Sequence, residues 1–137
     1  MWKVTDNASA KELRVEDKVT DSLTGNKHYH FWSPTAVNFD LVQEVSDLPA
    51  GNYKFTISIM GGDGGTTDIY SFVLVDGVEV TRKKLEITVW NEWHTETIEN
   101  FAVAAGQKVT VGIHVECEGA GNGAWGKIDD ALLNSVK

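Results

Sequence analysis

Val109-Thr110-Val111-Gly112-Ile113-His114-Val115-Glu116-Cys117 alternates apolar residues with polar or small ones along its whole length. Successive side chains of a strand point to opposite faces, so Val109, Val111, Ile113 and Val115 share one apolar face. The same period of two recurs elsewhere in the chain. Val37, Phe39 and Leu41 share a face of a strand that runs to about Val45, and Tyr53, Phe55, Ile57 and Ile59 do so in the next. Further strand-like runs lie at Ile69–Val75, Val78–Val80, Leu85–Trp90 and Ile98–Val103. Asp76-Gly77 between two β-branched runs is a hairpin signal. Leu48-Pro49-Ala50-Gly51 and Ala104-Ala105-Gly106-Gln107 read as turns leading into strands. No segment combines a sustained helical period with a cap and a stop, and the stretch Asn7–Leu13 is too short and polar for a helix. About nine or ten short strands at regular spacing predict an all-β fold. With two Pro and 13 Gly concentrated at turns, that fold is an antiparallel β-sandwich of jelly-roll type. It forms a single domain over residues 1–137.

Composition narrows the partners. At 137 residues and 15.0 kDa the chain can bury its own core. Twelve Lys and Arg against 20 Asp and Glu give a net charge of −8, which opposes binding to nucleic acid or an anionic membrane. Neutral ligands and cations are the easier partners. No apolar run approaches the roughly 20 residues that span a bilayer, and Met1-Trp2-Lys3-Val4 shows no secretory signal pattern. Cys117 is the only cysteine, so no internal disulfide forms. At the end of an alternating strand it is expected to be a small buried residue. Glu116 and Glu118 beside it would raise its pKa, which argues against a nucleophile.

Three strings carry the chemistry: His30-Phe31-Trp32-Ser33, Trp90-Asn91-Glu92-Trp93, and Gly123-Ala124-Trp125-Gly126-Lys127-Ile128-Asp129-Asp130. Each sets indole rings beside hydrogen-bonding groups. A sugar has an apolar C–H face and a rim of hydroxyls, and a flat ring with polar neighbours fits both. Aromatics also supply large buried area in any small domain, but five Trp in 137 residues weigh against an all-core role. The expected stacking rings are Trp32, Trp93 and Trp125, one of them core, with His30, Gln43, Asp63 and Asn122 for hydroxyls. Two Gly-rich loops, Gly61–Thr67 and Glu118–Gly123, would rim such a site. Neither precedes a helix, so neither reads as a phosphate cradle.

Other constellations are weaker. His28 and His30 share a strand face, but a zinc site wants a third protein ligand, and His94 and His114 offer no motif. Twenty acidic residues guarantee accidental pairs, yet none lies in a recognisable glycosidase string. In Ile128-Asp129-Asp130-Ala131-Leu132, inward-facing Ile128 and Leu132 put Asp130 on the core side and Asp129 opposite, unless a bulge exchanges them. A carboxylate so close to the core must be hydrogen-bonded, paired or metal-bound, and calcium or a backbone-capping role are both open.

In order along the chain come His30-Phe31-Trp32-Ser33, Phe39-Asp40-Leu41-Val42-Gln43, Leu48-Pro49-Ala50-Gly51-Asn52-Tyr53 and Gly61-Gly62-Asp63. Trp90 and Trp93 with Ile98, Val111-Gly112-Ile113, Ala124-Trp125-Gly126 and Ile128-Asp129-Asp130 complete the series. From His28 to Leu133 this series resembles carbohydrate-binding module family 61, the galactan-binding modules attached to bacterial endo-β-1,4-galactanases. The resemblance implies a non-catalytic β-sandwich that binds β-1,4-galactan of pectic side chains and targets an attached glycoside hydrolase, hence an extracellular, secreted protein. It also implies a structural calcium at Asp129, with backbone oxygens near Gly25 to Lys27. The first-strand acid that would help hold that ion is absent, since the chain opens at Trp2. Related sandwiches bind xylan, β-glucan or xyloglucan, and a protein–protein interaction domain is a further alternative.

Overall fold

The computed structural model describes residues 2–136; Met1, where the sequence shows no leader pattern, lies outside them. Ten strands follow one another: β1 (Trp2–Asp6), β2 (Glu12–Asp17), β3 (Lys27–Trp32), β4 (Val37–Val45), β5 (Gly51–Gly62), β6 (Thr67–Val75), β7 (Val78–Leu85), β8 (His94–Val103), β9 (Val109–Cys117) and β10 (Trp125–Val136). They form two antiparallel five-stranded sheets, ordered β1-β4-β9-β6-β7 and β2-β3-β10-β5-β8. The sheets face each other across one core, as the period-two pattern requires. Phe31, Phe39, Phe55, Ile57, Ile59, Ile69, Ile98 and Ile113 are its large, fully buried members.

The alternating stretch Val109–Cys117 is β9, at the centre of the first sheet between β4 and β6. Val109, Val111, Ile113 and Val115 are buried, and Cys117 ends the same face at 1% exposure. Burial, and secondarily the Glu116 charge, push the Cys117 thiol up to about 12, so it is an inert core residue. Asp76 and Gly77 turn between β6 and β7 with φ of 50° and 79°. Positive φ at both central residues matches the right-handed twist of the flanking strands.

Two expectations are corrected. The run Leu85–Trp90 is not a strand: β7 continues unbroken to Leu85, and residues 86–93 form a loop. Its apolar residues serve separate purposes, Ile87 packing against the core and Trp90 reaching outward. Leu132 is not a core anchor, being 51% exposed. A bulge between Asp129 and Leu132 in the β10–β5 pairing, with Asp130 at φ 53°, shifts the alternation by one. Leu133, opposite Phe55, takes the inward position instead.

Candidate functional site

None of the five indoles belongs to the buried core: Trp32, Trp93 and Trp125 are half-buried, while Trp2 and Trp90 are exposed. The expected core Trp among Trp32, Trp93 and Trp125 is therefore not found, and Phe, Ile and Val fill most of the interior, with Leu41, Tyr53, Leu85 and Cys117. Three indoles meet at one end of the second sheet. Trp32 closes β3, Trp125 opens β10, and the two are direct cross-strand partners. On its other side Trp125 pairs with Gly62, where a Cβ would lie 2.8 Å from the indole ring. Glycine is what lets that ring lie flat over β5. Trp90 comes in from the 86–93 loop, its ring centroid 6.1 Å from that of Trp125 at 38°, and the Asn91 N–H on the Met60 sulfur at 3.4 Å holds the loop down.

The rings are fixed by their polar edges. The Trp125 Nε1–H donates to the Asp63 carboxylate at 3.3 Å, and the Trp32 Nε1–H donates to the Asn122 carbonyl at 3.2 Å. Asp63 and Asn122 belong to the two Gly-rich loops, which are zipped together by backbone bonds. The N–H groups of Glu118, Gly119 and Ala120 donate to the carbonyls of Thr66, Gly64 and Asp63 at 2.8–2.9 Å. Ser33 N–H to Ala124 O, 3.0 Å, ties in the β3–β4 connection. Gly123 has φ 98°, and a side chain there would run into the Ser33 carbonyl. The result is a rigid rim around exposed aromatic surface.

Below the rings lies a charged network on the outer face of the same sheet. Lys127, only 6% exposed, donates to Glu16 at 2.7 Å and to His30 Nδ1 at 2.6 Å. His30 Nε2 therefore carries the ring proton and donates to Glu12 at 2.8 Å. Burial, against the pull of Glu12, holds the His30 pKa below its ordinary value. Burial also opposes ionisation of Glu16, but hydrogen bonds from Lys127 and His28 outweigh it and bring that carboxyl down to about 2. His28 is not a surface histidine: it is buried and paired with Glu16 and Ser22, each at 2.8 Å.

The expected ligand-contacting set is thus partly assembled. Trp32, Asp63, Asn122 and Trp125 converge, with His30 beside them on the Trp32 face, though both its ring nitrogens are taken by the network. Gln43 is elsewhere: it lies on β4 of the first sheet, opposite Trp2 and Val111. Trp93 immediately precedes β8 and is half-buried, while the ring that pairs with Trp125 is Trp90. The Trp90-Asn91-Glu92-Trp93 string carried the signal but not the choice between its two rings, which depends on how the 86–93 loop folds back.

Asp129 does not fit the calcium expectation. Its carboxylate accepts three backbone N–H groups, from Leu23 at 2.9 Å, Thr24 at 3.3 Å and Asp130 at 2.8 Å. Calcium requires oxygen ligands, and here amide hydrogens face the carboxylate. Asp130 in turn accepts the Thr24 hydroxyl. The acidic pair anchors the loop between β2 and β3, the capping alternative.

No protein-family model matches the chain, and no curated protein matches its sequence. Its fold matches solved structures. TmCBM61, solved in complex with β-1,4-galactotriose, superposes with TM-score 0.84 at 29% identity, covering 98% of this chain and 88% of that one. The CBM22-1 xylan-binding domain from Paenibacillus barcinonensis gives TM-score 0.58 at 12% identity over 98% and 86%. A glycoside hydrolase domain, Endo-D from Streptococcus pneumoniae, gives 0.64 at 20% identity, this chain matching only 21% of its length. The last two share the fold alone. The likeness to family 61 read from the ordered strings therefore extends across the whole sandwich.

Proposed function

We propose that this chain, a family 61-like β-sandwich module, is a non-catalytic carbohydrate-binding module that recognises β-1,4-linked galactan at the Trp32–Trp90–Trp125 end. One observation carries the proposal: three indoles outside the core converge, and two of them have their N–H groups already bound within the protein. Their faces are thereby oriented before ligand arrives, so little side-chain entropy remains to be lost on binding. Galactan is favoured over other glycans by the fold and sequence likeness to a protein solved with galactotriose. The axial O4 of galactose gives the chain a bend that suits rings set at an angle, such as the 38° between Trp90 and Trp125, better than one flat platform. Stacking supplies affinity, by analogy with base–aromatic platforms roughly 1–3 kcal/mol per ring. Asp63 and the Asn122 amide, at the exposed rim, select hydroxyl orientation, because a polar group left unpaired in a desolvated site is costly. In its natural setting the module is attached to a secreted bacterial glycoside hydrolase and holds it on plant cell-wall pectin.

Affinity gel electrophoresis across galactan, xylan, β-glucan and xyloglucan tests the specificity. Retardation by galactan alone is expected. Retardation by another of these polymers, with galactan inert, would reassign the ligand, and free migration in all of them would remove the glycan-binding proposal.

A further inference from the structure

The outer face of the first sheet, remote from the indoles, holds a second cluster. His114 on β9 lies with Glu116 two residues on, and Asp68 of β6 is the direct cross-strand partner of Glu116. One ligand atom from each of Asp68, His114 and Glu116 falls within 4.8 Å of the others. Asp40, across from His114 on β4, bonds to its Nδ1 at 2.9 Å. The ring also stacks on Tyr70, centroids 5.0 Å apart at 29°, and Arg82 covers the Tyr70 ring at 3.9 Å. His114 is thus held in orientation by both its edge and its face.

This arrangement has an imbalance. A carboxylate can only accept, so the Nδ1 that faces Asp40 must carry a proton. In a neutral imidazole Nε2 is then an acceptor, yet it faces another acceptor, Glu116 Oε1, at 3.2 Å. Asp68 and Glu116 add like charges directly opposite on adjacent strands, an unfavourable pairing. With His114 neutral, three acceptors converge with no donor among them, and a cation between them resolves both the acceptor conflict and the like-charge pairing.

We propose that Asp68, His114 and Glu116 form a surface site for a divalent transition ion of the zinc type. Imidazole with carboxylates suits zinc, whereas an all-oxygen set would suit calcium or magnesium. Zinc bonds of about 2.0–2.2 Å at tetrahedral angles put neighbouring ligand atoms roughly 3.3 Å apart, close to the 3.2 Å between His114 Nε2 and Glu116. Asp40 supplies the hydrogen bond to the non-ligating nitrogen that metal-bound histidines characteristically make. Water completes the exposed fourth position.

Calorimetric titration of EDTA-stripped protein with zinc chloride, and separately with calcium chloride, tests the site. Saturable zinc binding at one ion per chain is expected, abolished in His114→Gln and Glu116→Gln and unchanged in His94→Gln. Asp40→Asn acts only through His114 and should weaken binding about 10–100-fold. Histidine 15N spectra should show zinc moving the Nε2 signal of His114 while Nδ1 stays protonated. Circular dichroism establishes that each variant is folded. Absence of saturable zinc binding in the unmutated protein, or equal affinity in a folded His114→Gln or Glu116→Gln, would overturn the proposal. The acceptor conflict would then be met by a proton on His114.

Discussion

At Trp125 the indole edge, the ring face and the backbone have separate tasks: the N–H is tied to Asp63, the face meets Trp90 and solvent, and the backbone joins β3 to β5. Trp125→Ala should weaken galacto-oligosaccharide binding by roughly 10–100-fold, one stacking ring of about 1–3 kcal/mol; calorimetry reads this directly. Gly62→Ala is a sharper test, because no ligand-contacting side chain is removed. The added Cβ, 2.8 Å from the ring, must tilt Trp125, so affinity should fall with little change in fold by circular dichroism. Unaltered affinity would mean that ring orientation is not what the site depends on. Trp32 and Trp125 stood out in the sequence because each is an indole with hydrogen-bonding residues close by. The placement of Gln43 was not legible. Alternation tells which face of a strand a residue occupies, but not which sheet the strand joins, and β4 went to the sheet opposite the one that carries Trp32 and Trp125.

Among elements, the β2–β3 connection and the bulge of β10 stabilise each other through Asp129. Asp129→Ala removes the acceptor of the exposed Leu23 and Thr24 N–H groups, which water then meets in part, and should cost about 1 kcal/mol, lowering Tm by a few degrees while the folded fraction still binds sugar. Because the Asp129 carboxylate already accepts three amide hydrogens, EDTA should leave Tm unchanged. A fall in Tm with EDTA that Asp129→Ala abolishes would restore calcium to this site. The bulge itself was foreseen only as an alternative, since one extra residue leaves no mark on apolar alternation beyond the exchange of Leu132 for Leu133. The run Leu85–Trp90 misled for a related reason: loop residues with separate tasks, Ile87 against the core and Trp90 beside Trp125, look like strand residues when neighbours in space are unknown. The network under the rings has its own signature. Glu16 titrates at about 2 in the folded chain against an ordinary 4.5. It is therefore ionised and stabilising above pH 4.5, and that stability is lost as pH falls towards 2. Glu16→Gln should cost roughly 1.5–3 kcal/mol of stability at neutral pH through lost charged hydrogen bonding, lower Tm accordingly, and flatten the acid decline. An identical acid profile in the variant would show that the pairing with Lys127 contributes nothing.

At the scale of the molecule, the core and the site draw on different residues. Phe, Ile and Val close the sandwich, while all five indoles stay outside the core. The fold was almost fully legible, because a period of two and turn chemistry are local properties written many times over. The site was legible as a composition, an excess of Trp near amides and acids, but its assembly depends on long-range pairings. The zipping of residues 118–120 onto 63–66 is one such pairing, and the approach of Trp90 to Trp125 is another. The central claim is that this assembled end binds β-1,4-galactan. Isothermal titration with galactotriose, on the unmutated protein and on a folded Trp32→Ala, Trp125→Ala double variant, tests it most directly. A single-site isotherm for the unmutated protein, reduced to heats of dilution in the variant, is the expected result. Heats of dilution from the unmutated protein at millimolar sugar, or equal binding by the double variant, would contradict it.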